Sequence, residues 1–591
     1  MTGAPVYTTR ALITTSTLFY LVIFIYLRWI PGYVAYRVIT VLFPVNLLLT
    51  GYVWRWNSQQ FQEVSEEQSE SESGALTSSR EYQKGNYSGN NESEAASSSA
   101  TQSPTKTLRA RKSVEAPVSP PTSNSRQTVK PLKSKEVSSI ILAVNLLLSG
   151  FLFLSVFHFT FRAYYLDIGT KLAFARTGEV SYDHAKLFVR DPKSTQVRLE
   201  YREVQEENWR KGPVASLSKV DDYTATTVLS GLEPSRMYIY RFVNLENESV
   251  IDPGVNNFTT SPSPGTPSKF RFVAGSCIKP NFPYTPFRDI GIPGFQVMRQ
   301  HDMDFMILLG DFIYADVPYY FGPQIEDYRR LYREIYADQD FASIYRKVPI
   351  YNTYDDHEVL NNWNFQERPP MGNAMVAYNE YQGVPNPDPL EKGTAYYTFS
   401  YGDTAFFVMD TRRYRSSALL PDDENKTMLG PEQMAHFREW CHQVNQTATI
   451  KFIVTSVPFT INWANYDSTQ DTWRGYQTER KEILELLRYV PNVYMISGDR
   501  HEAAVTELPY GVIDFSTSPI NQFYLPIKTY REENGDKEIY YQQTGNIKYA
   551  IFEVDTTDRQ HPKAKYLLYT GGSEPEFTYD MNTQPIFNPN S

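Results

Sequence analysis

The sequence predicts an α/β domain over residues 268–570, preceded by a small β-sandwich and by apolar segments that are long enough to cross a membrane. Three observations favour this architecture. After residue 268, short apolar strands alternate with amphipathic helices, as in α/β domains. Between residues 182 and 260 lie short β-rich runs that are separated by turn residues. The first 161 residues contain three uncharged apolar runs.

The composition of the chain excludes several classes of protein. The 591 residues carry a net charge of −10, so the basic footprint of a generic nucleic-acid binder is missing and no nucleic-acid binding is expected. Two cysteines are too few for a disulfide-rich mini-protein or a multi-cysteine zinc module. The charge is uneven, because residues 1–56 carry +4 and residues 137–591 carry −14.

Residues 11–54 hold two of the apolar runs, Ala11–Leu27 and Val38–Trp54, with the turn signal Pro31-Gly32 between them. They predict a transmembrane hairpin, although a re-entrant or interfacial second segment is an open alternative. Residues 137–161 form the longest uncharged run and predict a further transmembrane helix. The chain is therefore expected to cross the membrane two or three times.

Residues 57–136 are rich in Ser, Glu, Asn, Gln and Pro, and predict a disordered linker because they cannot bury enough apolar surface to offset the entropy of ordering. The basic end of this linker precedes the third apolar run, which favours the cytoplasmic side and permits contact with anionic membrane lipid. The C-terminal part is then expected in the lumen of the secretory system or at the cell surface. Arg28 and Arg37 oppose this orientation. Four glycosylation sequons support it and predict a glycoprotein, at Asn247, Asn257, Asn425 and Asn445.

Residues 165–262 predict a fibronectin III-like β-sandwich. Leu232-Glu233-Pro234, followed by Tyr238 and Tyr240, resembles the tyrosine-corner segment of such domains. The predicted strands are Lys186–Val189, Gln196–Tyr201, Ala225–Leu229 and Met237–Val243. The Pro- and Ser-rich residues 261–267 then predict an interdomain linker.

Strands and helices alternate along the α/β domain. The predicted strands are Lys269–Ala274, Phe305–Leu309, Pro349–Tyr354, Tyr396–Tyr401, Thr404–Met409, Ile450–Ser456 and Asn492–Ile496. The predicted helices are Phe295–Gln300, Gln324–Tyr336, Pro431–Val444 and Gln477–Tyr489. Whether residues 571–591 fold over the domain as a lid stays open.

Metal-competent side chains follow four of these strands. They lie in Gly275-Ser276-Cys277, in residues 310–316, in Asp355-Asp356-His357-Glu358 and in Ser497-Gly498-Asp499-Arg500-His501. Because ligands bind at the carboxyl ends of strands in α/β folds, the four segments are expected to meet in one site. Singly, each motif is also compatible with a turn, a helix cap or, for Cys277, a small buried apolar residue. The four motifs in this order, each at the end of a strand, are much more specific for a metal site than any one of them.

These motifs together resemble the PhoD-like (alkaline phosphatase D) family of the calcineurin-like metallophosphoesterases, over about residues 180–555. The matching motifs are Gly-Ser-Cys (275–277), Gly-Asp-x-x-Tyr (310–314), Asp-Asp-His-Glu-Val-x-Asn-Asn (355–362), Asp-Thr-Arg-x-Tyr-Arg (410–415) and Ser-Gly-Asp-x-His (497–501). The chain departs from the wider superfamily, whose first Asp-x-His motif is absent, with Cys277 near its place. The resemblance implies a metallophosphoesterase-type β-sandwich flanked by helices.

The resemblance also implies a centre of iron and calcium. Thiolate and phenolate ligands suit trivalent iron, whereas carboxylate and amide oxygens suit calcium. The residues that the resemblance places around iron are Cys277, Asp311, Tyr314, Asp499 and His501, with Asp311 bridging the two metals. Asn361 is expected to serve calcium, and Asp356 is a rival for a metal-binding role.

The implied function is metal-assisted hydrolysis of a phosphate monoester or diester. His357 is a candidate for protonating the leaving oxygen, and Arg412 or Arg500 for holding a phosphate oxygen. An ordinary salt bridge is an equally weighted alternative for both arginines.

Two other functions stay open. One is a catalytically inactive, membrane-tethered binding or scaffold protein on the same fold. The other is a glycosidase that uses Asp355, Asp356 or Glu358 without a metal, although it would leave Cys277 and Tyr314 unexplained.

Overall fold

The computed structural model describes residues 4–82, 134–166, 168–251, 254–286, 291–464, 467–532 and 535–585. Two compact units divide the chain. The first comprises Met1–Phe19 with Leu42–Phe151, and the second comprises Tyr20–Val41 with Leu152–Ser591.

Three long helices occupy the described part of the N-terminal region: α1 (Ala4–Arg28), α2 (Tyr33–Tyr82) and α3 (Ser134–Tyr165). Each is long and apolar enough to cross a membrane. Within the first unit, the buried side chain of Asn46 on α2 accepts a hydrogen bond from Ser16 of α1 at 2.8 Å and donates one to Ser149 of α3 at 2.9 Å. This polar triad satisfies groups that lipid would leave unpaired.

The first part of the predicted linker, residues 57–82, lies in α2, which continues to Tyr82. That segment contains one glycine and no proline. Because the apolar span already supplies a helical nucleus, each added residue gains a hydrogen bond without a new nucleation cost. Residues 83–133, the rest of the predicted linker, lie outside the described residues, and α3 begins three residues before the predicted span.

Seven strands form the small sandwich: β1 (Phe174–Val180), β2 (His184–Arg190), β3 (Gln196–Glu203), β4 (Arg210–Ser216), β5 (Thr224–Ser230), β6 (Met237–Asn244) and β7 (Asn256–Thr259). Three strands in the order β1-β2-β5 pack on four in the order β4-β3-β6-β7, which confirms the fibronectin III-like fold. The Tyr238 hydroxyl accepts a hydrogen bond from the backbone N–H of Glu233 at 3.0 Å, as in a tyrosine corner. The sequence does not predict β1, β4 and β7, since β4 is a mostly exposed strand that contains Gly212 and Pro213 and β7 has four residues.

The α/β domain contains thirteen further strands and seven further helices among the described residues. The strands are β8 (Lys269–Gly275), β9 (Phe305–Leu309), β10 (Ile350–Thr353), β11 (Tyr397–Tyr401), β12 (Thr404–Val408), β13 (Ile450–Val454), β14 (Val493–Ser497), β15 (Ala503–Glu507), β16 (Ile513–Thr517), β17 (Lys537–Gln542), β18 (Tyr549–Asp555), β19 (Lys563–Tyr569) and β20 (Phe577–Met581). The helices are α4 (Pro293–Met298), α5 (Ile325–Tyr336), α6 (Gln339–Tyr345), α7 (Met371–Tyr378), α8 (Gly430–Val444), α9 (Ser468–Asp471) and α10 (Gln477–Leu487).

Two packed sheets form the centre of this domain and confirm the predicted fold class. Their orders are β10-β9-β8-β18-β19-β20 and β11-β12-β13-β14-β16-β15-β17. Phe272 of the first sheet packs edge-on against Phe406 and Phe452 of the second, with ring centroids 5.5 and 5.2 Å away. Helices α4–α7 pack on the outer face of the first sheet, and α8 and α10 on that of the second.

Strand direction sets the position of the site. Strands β8, β9 and β10 are mutually parallel neighbours, and β12, β13, β14 and β16 form a second parallel set. Their carboxyl ends therefore share the same edges of the two sheets. At the far edge of the first sheet, β20 pairs with β19, so the domain extends past the predicted residue 570. Residues 577–581 thus complete a sheet edge rather than a lid.

Candidate metal centre and active site

The loops after four strands bring most of the predicted site residues together. Cys277 follows β8, Asp311 follows β9, Asp355 and Asp356 follow β10, and Asp499 and His501 follow β14. Ligand atoms lie within 4.8 Å of one another in three groups: Cys277, Asp311 and His501; Asp311, Asp356 and His357; and Asp311, Asp355, Asp356 and Asp499. Asp311 belongs to all three groups, which is the arrangement expected of a bridging ligand.

One side of the site combines a thiol, a phenol and an imidazole. The Tyr314 hydroxyl donates a hydrogen bond to Asp311 Oδ2 at 3.1 Å and lies 2.9 Å from His501 Nε2. Cys277 Sγ lies 3.3 Å from the same Asp311 oxygen, and both cysteines of the chain are free. Burial, reinforced by the Asp311 carboxylate, raises the pKa of Cys277 and of Tyr314 well above their ordinary values. Either group would need an adjacent cation in order to bind as an anion.

Four carboxylates form the other side: those of Asp311, Asp355 and Asp356, which are buried, and that of Asp499, which is partly buried. Asp355 Oδ2, Asp356 Oδ1 and Asp499 Oδ2 are buried and have no hydrogen-bond partner among the described residues. Burial and the neighbouring carboxylates raise the pKa of Asp356 to about 6, and raise those of Asp311 and Asp499 well above the usual range. Arg412 Nη2 lies 3.5 Å from Asp356 Oδ1 and Arg500 Nη1 lies 3.6 Å from Asp499 Oδ2, but neither contact is a hydrogen bond. Buried oxygens are normally hydrogen-bonded, so these converging oxygens fit a bound cation. The residues of this site therefore fit a metal centre.

The backbone at the site is held in a rare conformation. Cys277, Asp311, Asp499 and His501 have φ of 64°, 52°, 75° and 58°. Residues other than glycine seldom adopt positive φ, and such residues cluster where function requires a fixed geometry. Each of these four residues is a predicted metal ligand.

Glu358 anchors the loops rather than facing the cluster. Its carboxylate accepts hydrogen bonds from the backbone N–H groups of Asp311, Phe312 and Asp355 at 3.0, 2.6 and 2.8 Å. It thereby ties the loop after β9 to the loop after β10. These backbone bonds occupy both carboxylate oxygens.

His357 is paired with a carboxylate that lies at the rim of the site. Its Nδ1 lies 2.7 Å from Asp316 Oδ1, and the Tyr314 ring packs against the imidazole with centroids 4.3 Å apart. Burial lowers the pKa of His357, but the carboxylates of Asp316, Asp356 and Asp311 outweigh burial and raise the pKa well above its ordinary value. Because Nδ1 faces Asp316, Nε2 is the nitrogen that remains for proton transfer.

The two predicted arginines have different surroundings. Arg412 is fully buried and binds Asp355, and its Nη1 donates to Asp471 Oδ1 at 2.6 Å. This favours the salt-bridge alternative for Arg412 over direct contact with a phosphate. Arg500 lies nearer the surface and pairs with Asp467 at 3.0 Å and with Asp471 at 3.2 Å. Burial raises the pKa of Asp471, but the two arginines outweigh burial and lower that pKa below its usual range.

Asn361 and Asp356, the two rivals for a metal-binding role, differ in position. Asp356 is buried in the cluster, whereas Asn361 is exposed and its backbone N–H donates to Asp316 at 2.7 Å. The sequence did not assign roles to Asp316, Asp467 and Asp471. Asp316 lies in the same strand-end run as Tyr314, which was a usable signal. Asp467 precedes the short helix α9 and Asp471 is its last residue, and no motif marks this helix.

The fold and the site define a protein of the metallophosphoesterase class: two packed sheets flanked by helices, with metal-competent side chains at the carboxyl ends of parallel strands. Residues 272–561 match the family model described as PhoD-like phosphatase. Over these residues the chain therefore matches the PhoD-like phosphatase family.

Individual relatives agree with this family. Alkaline phosphatase D of Bacillus subtilis (strain 168) is 26% identical, over 47% of this chain and 53% of that protein, so the chain spans about half the length of this curated relative. A solved structure of PhoD is similar in fold, with a TM-score of 0.56 and 21% identity over 69% of this chain and 90% of that chain. The purple acid phosphatase PPD1 from yellow lupin (Lupinus luteus) seeds has a TM-score of 0.50 and 15% identity, over 69% and 73% of the two chains.

Proposed function

We propose that the protein is a membrane-anchored, metal-dependent phosphoester hydrolase. The observation that carries the proposal is the convergence of Asp311, Asp355, Asp356 and Asp499, whose buried oxygens include three without a hydrogen-bond donor among the described residues. The match to the PhoD-like phosphatase family supports phosphate esters as the substrate class.

The metals and their ligands follow from the family resemblance and the site chemistry. Iron would be held by Cys277, Asp311, Tyr314, Asp499 and His501, and calcium by carboxylates that include Asp311 and Asp356. When bound, such cations neutralise phosphate oxygens and lower the pKa of a coordinated water. Asn361 is a further candidate ligand for calcium at the rim of the site.

His357 is proposed as the general acid. During hydrolysis the water oxygen bonds to phosphorus while the ester P–O bond breaks, and the leaving oxygen takes the His357 proton. The proton that water loses passes to solvent and later restores the imidazolium. Asp316 holds the ring and favours its charged form, so it acts as a positioning residue. Arg500 would hold a phosphate oxygen, while Arg412 offsets the charge of the buried carboxylates.

The alternatives are less well supported. A glycosidase would use a carboxyl pair without a metal, and would leave Cys277 and His501, which lie in the same cluster as Asp311, without a role. Glu358, a third candidate for such a role, already accepts three backbone hydrogen bonds. An inactive scaffold would not require the intact set of metal-competent side chains.

The test uses the purified full chain with chromogenic phosphate monoesters and diesters, before and after chelation, together with a measurement of iron and calcium content. Chelation should abolish turnover, and Asp311→Asn should lower it at least about a hundredfold because bound cations contribute several kcal/mol. Asp302→Asn, an exposed aspartate outside the cluster, is the matched control and should keep full turnover. Unchanged turnover after complete demetallation would reject the proposal.

We further propose three membrane spans, with the α/β domain in the lumen or outside the cell. Arg28 Nη1 donates to the backbone carbonyl of Tyr284 at 2.9 Å, which supports a turn between α1 and α2 on the same side as the α/β domain. In this arrangement Arg28 lies on the side that the positive-inside rule disfavours, but its charge has a local hydrogen-bond acceptor, the Tyr284 carbonyl.

Glycosylation tests this orientation. Asn247 and Asn425 are exposed sequons, so N-glycosidase treatment of the cell-derived protein should increase its electrophoretic mobility. The double change Asn247→Gln and Asn425→Gln should reduce that shift, whereas Asn86→Gln with Asn91→Gln should not. A shift that depends on residues 86 and 91 would contradict the orientation.

A further inference from the structure

The loop that follows Cys277 is bound by the ends of the apolar helices, within the second compact unit. The backbone N–H of Tyr284 donates to the Leu27 carbonyl at the end of α1 at 2.8 Å. The Tyr284 ring packs edge-on against Phe159 of α3 at 5.8 Å, and its hydroxyl lies 3.2 Å from His158 Nδ1. The loop that begins at Cys277, a candidate metal ligand, therefore contacts the ends of α1 and α3.

The loop that carries Asp316 makes a second set of contacts with these helices. Tyr319 and Phe321 pack against Phe161 of α3, with ring centroids 5.3 and 5.7 Å away. Phe321 also stacks on Tyr164 at 5.2 Å, with an angle of 7° between the rings. This aromatic contact begins three residues after Asp316, the partner of the proposed general acid. Aromatic rings of this kind are enriched at the boundary between lipid and water.

Cationic side chains accompany these aromatic residues. Lys279, two residues after Cys277, donates to the Val317 carbonyl at 3.2 Å, and its Nζ lies 5.8 Å from the centre of the Phe159 ring. Arg28 and Arg37 are exposed at the ends of α1 and α2 that face this region. Exposed cations at a membrane surface attract anionic lipid head groups.

Resting on the function and membrane anchoring proposed above, we infer that the substrate is a phosphate ester of a membrane lipid, taken from the bilayer that holds α1–α3. The segment from Asp316 to Phe321 pairs with His357 at one end and packs on α3 at the other, so a head group at the bilayer surface would lie close to His357 while its acyl chains stay in lipid. In the reaction, water supplies the oxygen that bonds to phosphorus, the lipid P–O bond breaks, and the lipid alcohol leaves with the proton from His357.

The experiment compares lipid and soluble esters with the full chain reconstituted in phosphatidylcholine vesicles. Phosphatidic acid in the same vesicles is compared with glycerol 3-phosphate, and phosphatidylglycerol with glycerophosphoglycerol, so that monoester and diester chemistry are both covered. At least one lipid should be hydrolysed at least about tenfold faster than its soluble counterpart at equal bulk concentration, because anchoring raises the effective concentration. Phosphatidic acid in separate vesicles should be a poor substrate.

Two variants test whether the aromatic contact between Phe321 and α3 is needed for lipid hydrolysis. Phe321→Asp and Tyr164→Ser should lower lipid hydrolysis about tenfold relative to soluble chromogenic esters, whose turnover reports an intact site. Tyr489→Asp, a change at an exposed aromatic residue two positions after the end of α10, should alter neither activity. Equal rates for lipid and soluble esters, or equal effects of Phe321→Asp on both, would overturn the inference. Absence of turnover with every ester would instead reject the proposed function, and this inference with it.

Discussion

His357 and Asp316 illustrate how one side chain sets the chemistry of another. If Asp316 holds the imidazole in place and charged, Asp316→Asn should slow hydrolysis of alkyl phosphates about ten- to a hundredfold, because their leaving oxygen requires a proton. Nitrophenyl phosphate has a stable leaving group and should be much less affected. Relative kcat for the two esters is the measurement. His357→Gln should give the same pattern, and an equal loss for both esters would show that Asp316 does not act through a general acid.

Lys451 provides a test of pH dependence at a residue remote from the site. It is fully buried in β13, and its Nζ lies 3.0 Å from the Pro491 carbonyl oxygen. Burial lowers the pKa of Lys451 from 10.5 to about 7, and this effect outweighs the electrostatic interaction with Cys441, which raises the pKa. Between those two pKa values the unfolded chain binds more protons than the folded chain. Stability should therefore rise with pH through this window, by at most about 1.4 kcal/mol per pH unit from this group.

Lys451→Met removes this contribution. The variant should have the higher thermal midpoint at neutral pH, and its advantage over the native protein should shrink as the pH rises toward 9.5, since unpaired buried charge is costly. Tryptophan fluorescence during heating, at several pH values, measures the difference. A constant difference across this range would contradict the lowered pKa.

At the scale of elements, the junction of β9 with its loop depends on Gly310. Its φ is +96°, and a Cβ there would lie 2.6 Å from the Cβ of Asp355. Gly511 also has positive φ, at +76°, but a Cβ would meet nothing within 4 Å. Gly511→Ala should cost about 1 kcal/mol through backbone strain alone. Gly310→Ala should cost at least about 3 kcal/mol and lower metal content, because the two strand-end loops must separate.

Urea titrations and metal analysis of both glycine variants distinguish backbone strain at positive φ from a steric clash between the new Cβ and Asp355. If both variants lost a similar free energy of unfolding, the close approach of Gly310 to Asp355 would not contribute to stability.

The elements also show how far the sequence could be read. Buried strands such as β9 and β14 are short continuous apolar runs between turn residues, so their positions were predicted within a residue. The sequence did not predict β15 to β20. Strand β17 is only half-buried along its length, and its place depends on pairing with β15, a contact that local pattern does not encode.

At the scale of the whole molecule, Asp222 joins the small sandwich to the α/β domain. Its carboxylate binds Arg190 of the sandwich at 2.9 Å and Arg333 of α5 at 2.8 Å, and it also accepts from the Tyr381 hydroxyl. The arginines are buried, so Asp222→Ala would leave Arg190 without its carboxylate and Arg333 with Glu326 as its remaining carboxylate partner, and should cost about 3–5 kcal/mol. The thermal midpoint should fall, and proteolysis within residues 261–267 should accelerate.

Asp221→Ala is the matched control, because Asp221 is adjacent and exposed. It should leave both the midpoint and the cleavage rate unchanged. A normal midpoint for Asp222→Ala would show that the two domains do not depend on this carboxylate.

The sequence by itself determined the fold class, the order of the strand-end motifs and most of the side chains that meet in the site. It could do so because buried strands and strand-end ligands are encoded locally, in apolar runs followed by polar residues. Only the tertiary structure decided that Arg412 is fully enclosed by carboxylates, that Asp316 pairs with His357, and that the helix ends bind the loop after Cys277. These contacts join residues far apart in the chain, and their burial and charge balance exist only after folding has brought the partners together.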